Sequence, residues 1–308
     1  MTVEPRDTQI VANRNDTSAH RWAFLALLGG NVALAAGPFL VRHAGVGPVA
    51  AGFWRLALAL PFLFVISLVV RQPIRLPRLA LLVAIALAAF FFAADLAAWH
   101  IGILLTKLGN ATLFGNLSSF LFAAWGLWMA RQWPSWLQAL ALTLAALGCG
   151  LLMAGSAILS AAHLRGDLLA ALAGLLYAFY LIIVERTRGQ VQPLPLLLIA
   201  TAFGAPMLLY ASVMMGEVIV PTDWTALVAL ALCSQVIGQG LLVYALGHVP
   251  PLIVGVAMLT QPALSALLGY LYYGEALTPL DWLGAMLIVT ALILVRLRDP
   301  DRSASLAA

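Results

Sequence analysis

The chain has 308 residues, of which 63% are hydrophobic and only 9% charged. Such a composition leaves too little polar surface for a water-soluble globule and places the chain in a membrane. The formal charge of +4 comes from arginines beside the ends of apolar runs, not from a stripe or cluster, which argues against a nucleic-acid partner and for membrane topology.

A bilayer-crossing helix needs about 20 apolar residues. Ten runs qualify: residues 22–42, 49–70, 79–105, 109–130, 136–154, 167–187, 194–215, 224–246, 252–273 and 280–296. One side of the membrane then collects Arg6, Arg14, Arg21, Arg71, Arg75, Arg78, Arg131, Arg186, Arg188, Arg296, Arg298 and Arg302. The other side holds only Arg42, Lys107 and Arg165. By the positive-inside rule both termini are cytoplasmic, as an even number of spans requires. Residues 1–21 and 297–308 read as polar, mobile cytoplasmic tails. Ala33, Leu34 and Ala35 look like a signal-peptide cleavage site, but the repeat described below argues against removal of the first run.

In chain order, the first run carries Asn31 beside Gly29 and Gly30, a polar group expected to line a cavity. The second opens after Pro48 and holds Arg55, the one basic residue well inside a span. The third carries Asp95, Trp99 and His100. Asp95, Trp99 and Gly102 follow the i, i+4, i+7 spacing of one helix face, as do Thr112, Asn116 and Ser119 in the fourth. At 1.5 Å per residue, Arg55 and Asp95 reach similar depths, and an ion pair between them is expected because an unpaired charge there is costly. The sixth run has Tyr177 and Tyr180 and ends in Glu185, Arg186 and Arg188, an end cap. The eighth has Gln235 and Gln239 one turn apart, again a cavity-lining pattern. The ninth contains Thr260, Gln261 and Pro262, where a kink is expected. It ends in Tyr270, Tyr272 and Tyr273, an interfacial belt like Trp133, Trp136, Trp224 and Trp282 at other run ends. Cys149 and Cys233 sit in apolar runs without metal-ligand or paired spacing and read as small core residues.

Adding 145 to a first-half position repeatedly lands on its partner: Gly29 and Gly174, Pro48 and Pro193, Pro61 and Pro206, Gly102 and Gly247, Pro134 and Pro279. Trp99 meets Tyr244 and Asn116 meets Gln261, so side-chain type recurs where identity does not. Five spans per half force the second copy to enter the membrane in the opposite sense. The fold expected is therefore an all-α integral membrane protein, ten transmembrane helices as two inverted five-helix repeats. Residues 22–154 form the first repeat, 155–166 a linker and 167–296 the second repeat.

Much chemistry is missing. The five histidines form no HExxH or paired box, and no Gly-Lys-Ser or Gly-Lys-Thr phosphate loop occurs. No cofactor, metal site or enzymatic activity is expected. A channel would need rings of charge or of carbonyls, which one Asp and one Arg do not supply.

The helix count, the halves of five and several motifs resemble the drug/metabolite transporter superfamily, specifically its EamA-like members. Asn31, Pro48 and Arg55 carry the resemblance in the first half. Tyr244 to Gly247, Gln261 with Pro262, Gly274 with Glu275, and Gly284 carry it in the second. Leu117 departs from the pattern where the repeat has Pro262, and Ala130 where it has Glu275. The resemblance implies a secondary transporter of the bacterial-type inner membrane that exports small amphipathic metabolites by alternating access. Trp99, Tyr177, Tyr180 and Tyr244 suit a flat apolar or cationic group. Asn31, Arg55, Gln235, Gln239 and Gln261 suit the charges of a zwitterion. With His100, Asn116 and Ser119 these residues form the expected substrate-binding set, and Arg55 and Asp95 are structural or gating charges. Aromatic and other neutral amino acids are the expected cargo, with a quaternary ammonium drug or another small metabolite as the alternative. The expected partners are that cargo and membrane lipid; the sequence leaves the oligomeric state open and is compatible with a functional monomer.

Overall fold

The computed structural model describes residues 6–106, 108–131, 133–154, 162–273 and 278–297. Seven helices are long and apolar enough to cross a membrane unaided, and three shorter apolar helices complete ten spans among the described residues. No strand occurs among them. The first repeat consists of α1 (Arg6–Ala35 and Gly37–Arg42), α2 (Pro48–Ala57 and Ala59–Val69), α3 (Leu79–Leu105), α4 (Leu108–Gly115 and Leu117–Ala130) and α5 (Trp136–Ala154). The second consists of α6 (Leu164–Arg188), α7 (Pro193–Met214), α8 (Thr225–Leu230, the π-helical stretch Ala231–Gln239, then Gly240–Leu246), α9 (Pro251–Met258 and Thr260–Tyr273) and α10 (Pro279–Leu297).

Helix α1 starts at Arg6, far ahead of the apolar run. No Gly or Pro interrupts residues 6 to 28, so a helix nucleated in the span propagates back through the polar stretch. Several breaks fall where the backbone leaves regular helix for one residue: Ala36, Leu58, Asn116 and Leu259. The first adjoins Gly37 and Pro38. The kink expected at Thr260–Pro262 sits at Leu259 instead, and Pro262 becomes the third residue of a new helical segment, where its missing N–H costs nothing. Helix α4 breaks at Asn116 without a proline, and its stretch opposite the α9 break keeps the two repeats alike. Gly204 to Pro206 do not break α7, which runs unbroken from Pro193 to Met214. Tyr270 is exposed, in keeping with an interfacial position. The side chains of Tyr272 and Tyr273, together with Gly274 and Glu275, lie outside the described residues.

The inverted repeat is visible in hydrogen bonds as well as in helix order. Helices α2 and α7 lie against each other, and each begins with a proline, Pro48 or Pro193, that needs no hydrogen-bond acceptor. The next residue of α7, Leu194, donates its N–H to Gln72 Oε1 at 3.1 Å. Its counterpart in α2, Val49, donates to Glu217 Oε1 at 3.2 Å, and Ala50 donates to Glu217 Oε2 at 2.8 Å. Gln72 and Glu217 themselves follow the ends of α2 and α7. Their N–H groups return to Ser67 and Ser212 carbonyls at 2.8 and 3.0 Å. Just before them Arg71 (φ 58°) and Gly216 (φ 66°) adopt the same left-handed conformation, which costs Arg about 1–2 kcal/mol and Gly little. Each end of the α2–α7 pair is thus closed by a clasp. Gln72 lies on the side of the bundle where Arg296 covers the Phe24 ring at 3.7 Å, here called the terminal side. Glu217 lies on the far side.

Close packing holds the remaining helices. A Cβ on Gly148 of α5 would meet Gly284 O of α10 at 2.6 Å, so only glycine permits that crossing. Helix α3 runs along α6, with Phe91 and Phe179 stacked at 5.1 Å between ring centroids. Cys149 is buried, Cys233 partly so, and both are free thiols. Outside the spans, Asp223 accepts the N–H and hydroxyl of Thr225 ahead of α8. Those two hydrogen bonds hold its carboxylate below the usual range.

Candidate functional site

A cavity of about 120 Å³ lies between the two repeats, in the far half of the bundle. Seven spans supply its wall. From α1 come Leu34, Ala35, Gly37 and Pro38 at the Ala36 break; from α2, Arg55; from α3, Phe92, Asp95, Leu96 and Trp99. Helix α4 adds Thr112, Gly115, Asn116, Ser118 and Ser119, and α6 adds Gly174 and Tyr177. Gln239 of α8 with Met258 and Gln261 of α9 complete it. Two of its walls are therefore helix breaks, at Ala36 and Asn116, and a third adjoins the break at Leu259.

Spacing explains the α3 wall: Phe92, Asp95 and Trp99 stand three and four residues apart, on one helix face. Trp99 fits because α4 has glycine opposite it. A Cβ on Gly115 would approach Trp99 Nε1 at 3.3 Å. Phe92 stacks on Tyr180 at 4.6 Å, and Tyr180 on Tyr177 at 5.6 Å. This column of rings is locked by one amide. Gln239 Nε2 donates to Tyr177 Oη at 2.9 Å, and Gln239 Oε1 accepts from Tyr180 Oη at 3.3 Å.

The two charges are arranged differently from the expectation. Arg55 and Asp95 line the same cavity, but no Arg55 nitrogen lies within 4.0 Å of an Asp95 carboxylate oxygen. A chain of side chains holds the guanidinium elsewhere. Thr201 Oγ1 accepts from Gln235 Nε2 at 3.0 Å, and Gln235 Oε1 accepts from Arg55 Nε at 3.3 Å. The Arg55 Cζ stands over the Phe92 ring, 5.7 Å from its centroid and within cation–π range. Asp95 is 8% exposed and Arg55 5%. No hydrogen bond from a described residue engages the Asp95 carboxylate.

Of the residues singled out from the sequence, Trp99, Asn116, Ser119, Tyr177, Gln239, Gln261, Arg55 and Asp95 meet at this cavity. Asn116 donates back to Thr112 O at 2.7 Å across the α4 break, and the buried Ser119 hydroxyl has no hydrogen-bond partner among the described residues. Asn31, Tyr180, Gln235, His100 and Tyr244 do not reach the cavity wall. Asn31 fastens α1 to α9: it donates to Ala257 O at 2.8 Å and accepts from Gln261 Nε2 at 3.1 Å. Tyr180 and Gln235 stand behind the wall and orient Gln239 and Arg55. His100 Nδ1 donates to Pro48 O at 2.8 Å, tying α3 to the start of α2. Tyr244 lies towards the terminal side, its ring 4.7 Å from that of His248. Near it, Arg188 spans from α6 to the end of α8, its Nε donating to Val243 O at 2.8 Å and its Nη1 to Val191 O at 2.5 Å. Sequence reasoning overlooked Phe92, although its place three residues before Asp95 was a usable signal.

Inverted five-helix repeats around a buried polar cavity are the build of secondary transporters. The sequence profile of the EamA-like transporter family matches the chain twice, over residues 21–154 and 164–297, and the chain belongs to that family. It is a multi-pass membrane protein and a small-molecule transporter of the drug/metabolite type. No curated protein matches the sequence. Among solved structures 29 chains match. One of them, described only as a crystal structure of a protein, superposes with a TM-score of 0.74 at 17% identity, over 92% of this chain and 99% of its own. At that identity the likeness shows the fold alone.

Proposed function

We propose that the protein exports small amphipathic amino acids, aromatic ones foremost, across a bacterial-type inner membrane, with both termini cytoplasmic. Transport runs by alternating access around the cavity between the repeats. The observation that carries this reading is a single cavity holding aromatic rings, one acid, one base and several amides, placed between two halves of inverted sense. A resemblance in overall organisation to the aromatic amino-acid exporter YddG supports the same cargo. At about 120 Å³ the cavity is below the roughly 300–1,000 Å³ of sites that enclose drug-sized ligands. An aromatic side chain therefore enters only as the walls part, and the breaks at Ala36, Asn116 and Leu259 are the natural places for that.

A second reading has one observation in its favour. The Asp95 carboxylate stands unpaired among Phe92, Trp99 and Tyr177, surroundings that also attract a quaternary ammonium drug. Counterflow into liposomes containing the purified protein separates the two. Vesicles loaded with unlabelled Phe, Trp, Thr or a quaternary ammonium are offered labelled Phe. Saturable uptake driven by the amino-acid loads, and reduced at least about tenfold in Trp99→Ala, is the expected result. Uptake driven by the ammonium load alone favours drug efflux.

A further inference from the structure

Resting on that reading, we propose that the cavity is a clamp for both charges of a zwitterion: Asp95 takes the ammonium, and the outer nitrogens of Arg55 take the carboxylate. Arg55 and Asp95 are the two charged residues of the cavity wall among the described residues. Both are more than nine-tenths buried. Buried opposite charges ordinarily neutralise each other, because each alone is expensive in a low-dielectric interior. Here they do not. The Thr201–Gln235 relay takes the Arg55 Nε and fixes the guanidinium plane, while Nη1 and Nη2 make no hydrogen bond to any described residue and remain available. Asp95 likewise makes no hydrogen bond to any described residue, and it stands one helical turn from Trp99 on the same face.

Such a site is complete only when a guest supplies both missing charges at short separation. The α-ammonium and carboxylate of an amino acid, or the two ends of a betaine, do so within a small volume. A monoamine leaves Arg55 unpaired and a monoacid leaves Asp95 unpaired, so each single-charge analogue is rejected by a buried, unsatisfied partner rather than by shape. The clamp thus reads the charged backbone of the cargo, while Trp99, Phe92 and Tyr177 face its side chain. Gln235 is a positioning residue, acting through Arg55.

The test is ligand-induced thermal stabilisation of the purified full-length protein in detergent, which needs no transport. The probes are Phe, its decarboxylated analogue 2-phenylethylamine, its deaminated analogue 3-phenylpropionate, and the non-aromatic zwitterions Thr and glycine betaine. At least one zwitterion is expected to bind, with each single-charge analogue at least about tenfold weaker than Phe. Asp95→Asn is expected to abolish the preference for Phe over 3-phenylpropionate, and Arg55→Gln the preference over 2-phenylethylamine. If Thr or betaine binds and Phe does not, the clamp stands and the aromatic cargo falls. Wild-type protein that binds either single-charge analogue as tightly as its best-bound zwitterion overturns the clamp, as does wild-type protein stabilised by no zwitterion. So does an Asp95→Asn variant that keeps the full preference. Should the variants fail to fold, the wild-type panel alone decides.

Discussion

The two ends of the α2–α7 pair carry the same clasp in different chemistry. On the far side Glu217 spreads both carboxylate oxygens over two N–H groups at the start of α2. On the terminal side Gln72 offers one amide oxygen to a single N–H at the start of α7. A helix N-terminus carries about half a positive charge, so an anion there is worth more than a neutral acceptor. Gly47 precedes α2 because the carboxylate lies across it: a Cβ at that position would overlap the Glu217 side chain. Its counterpart before α7, Gln192, has a full side chain and no such crowding. A further hydrogen bond, from Gly47 N to Val218 O at 2.9 Å, and the Trp54 Nε1 bond to Ile219 O at 2.7 Å reinforce the far clasp. The repeats share a backbone plan, and the far side has strengthened it. Both ends of α2 and α7 are thus tied to one another.

Removing the clasps should expose the asymmetry most strongly. Glu217→Ala deletes two charge-assisted bonds and is expected to cost about 2–3 kcal/mol. Gln72→Ala deletes one neutral bond and is expected to cost about 0.5–1.5 kcal/mol. Thermal melting in detergent checks both, and equal losses would erase the distinction. The double variant should show the two losses added, since the clasps sit at opposite ends of the bundle.

A finer test uses the residues that precede the helices. Gly47→Ala is expected to lower the melting temperature nearly as far as Glu217→Ala, by levering the carboxylate off the helix. Gln192→Ala, at the equivalent position, is expected to stay within about 0.5 kcal/mol of wild type. A Gly47→Ala variant as stable as wild type would mean that Glu217 finds another path to Val49 and Ala50.

Much of this architecture is legible in the sequence, and what is not has identifiable physical causes. The repeat offset that pairs Pro48 with Pro193 also pairs Gln72 with Glu217, but hydropathy treats both of the latter as loop residues and assigns them no role. The cavity face of α3 was readable because Asp95 and Trp99 are rare residue types in a span and stand one turn apart. Helix spacing alone could not separate residues on the wall from residues one layer behind it. Tyr180, Gln235 and Asn31 share faces with cavity residues yet are consumed by hydrogen bonds to Gln239, Thr201 and Ala257. The π-helical stretch Ala231–Gln239 compounds this. Gln235 and Gln239 were placed on one face from α-helical spacing, whereas the wider turn sends one to Arg55 and the other to the tyrosines. The Arg55–Asp95 pair was inferred from depth alone, which cannot reveal that Gln235 already holds the guanidinium.

The smallest expected effect is also the most direct measure of what the charge contributes. Glu217→Gln and Gln72→Glu exchange the chemistry of the two clasps while leaving an acceptor oxygen at each. A carboxylate at the start of α7 gains the attraction of that helix terminus, about 0.3–1 kcal/mol, and the far clasp loses a similar amount with its amide. Melting in low salt should therefore rise for Gln72→Glu and fall for Glu217→Gln, and both shifts should shrink as salt screens the exposed charges. The gain is capped by the local surroundings of Gln72, whose backbone follows Arg71 in the left-handed conformation. A carboxylate at position 72 also attracts the Arg71 guanidinium, so Gln72→Glu measured in an Arg71→Gly background, against Arg71→Gly alone, tells the sources apart. If the stabilisation survives that change, it comes from the helix terminus, and the far clasp is stronger because of its charge; if it vanishes, the advantage of Glu217 lies in its second hydrogen bond.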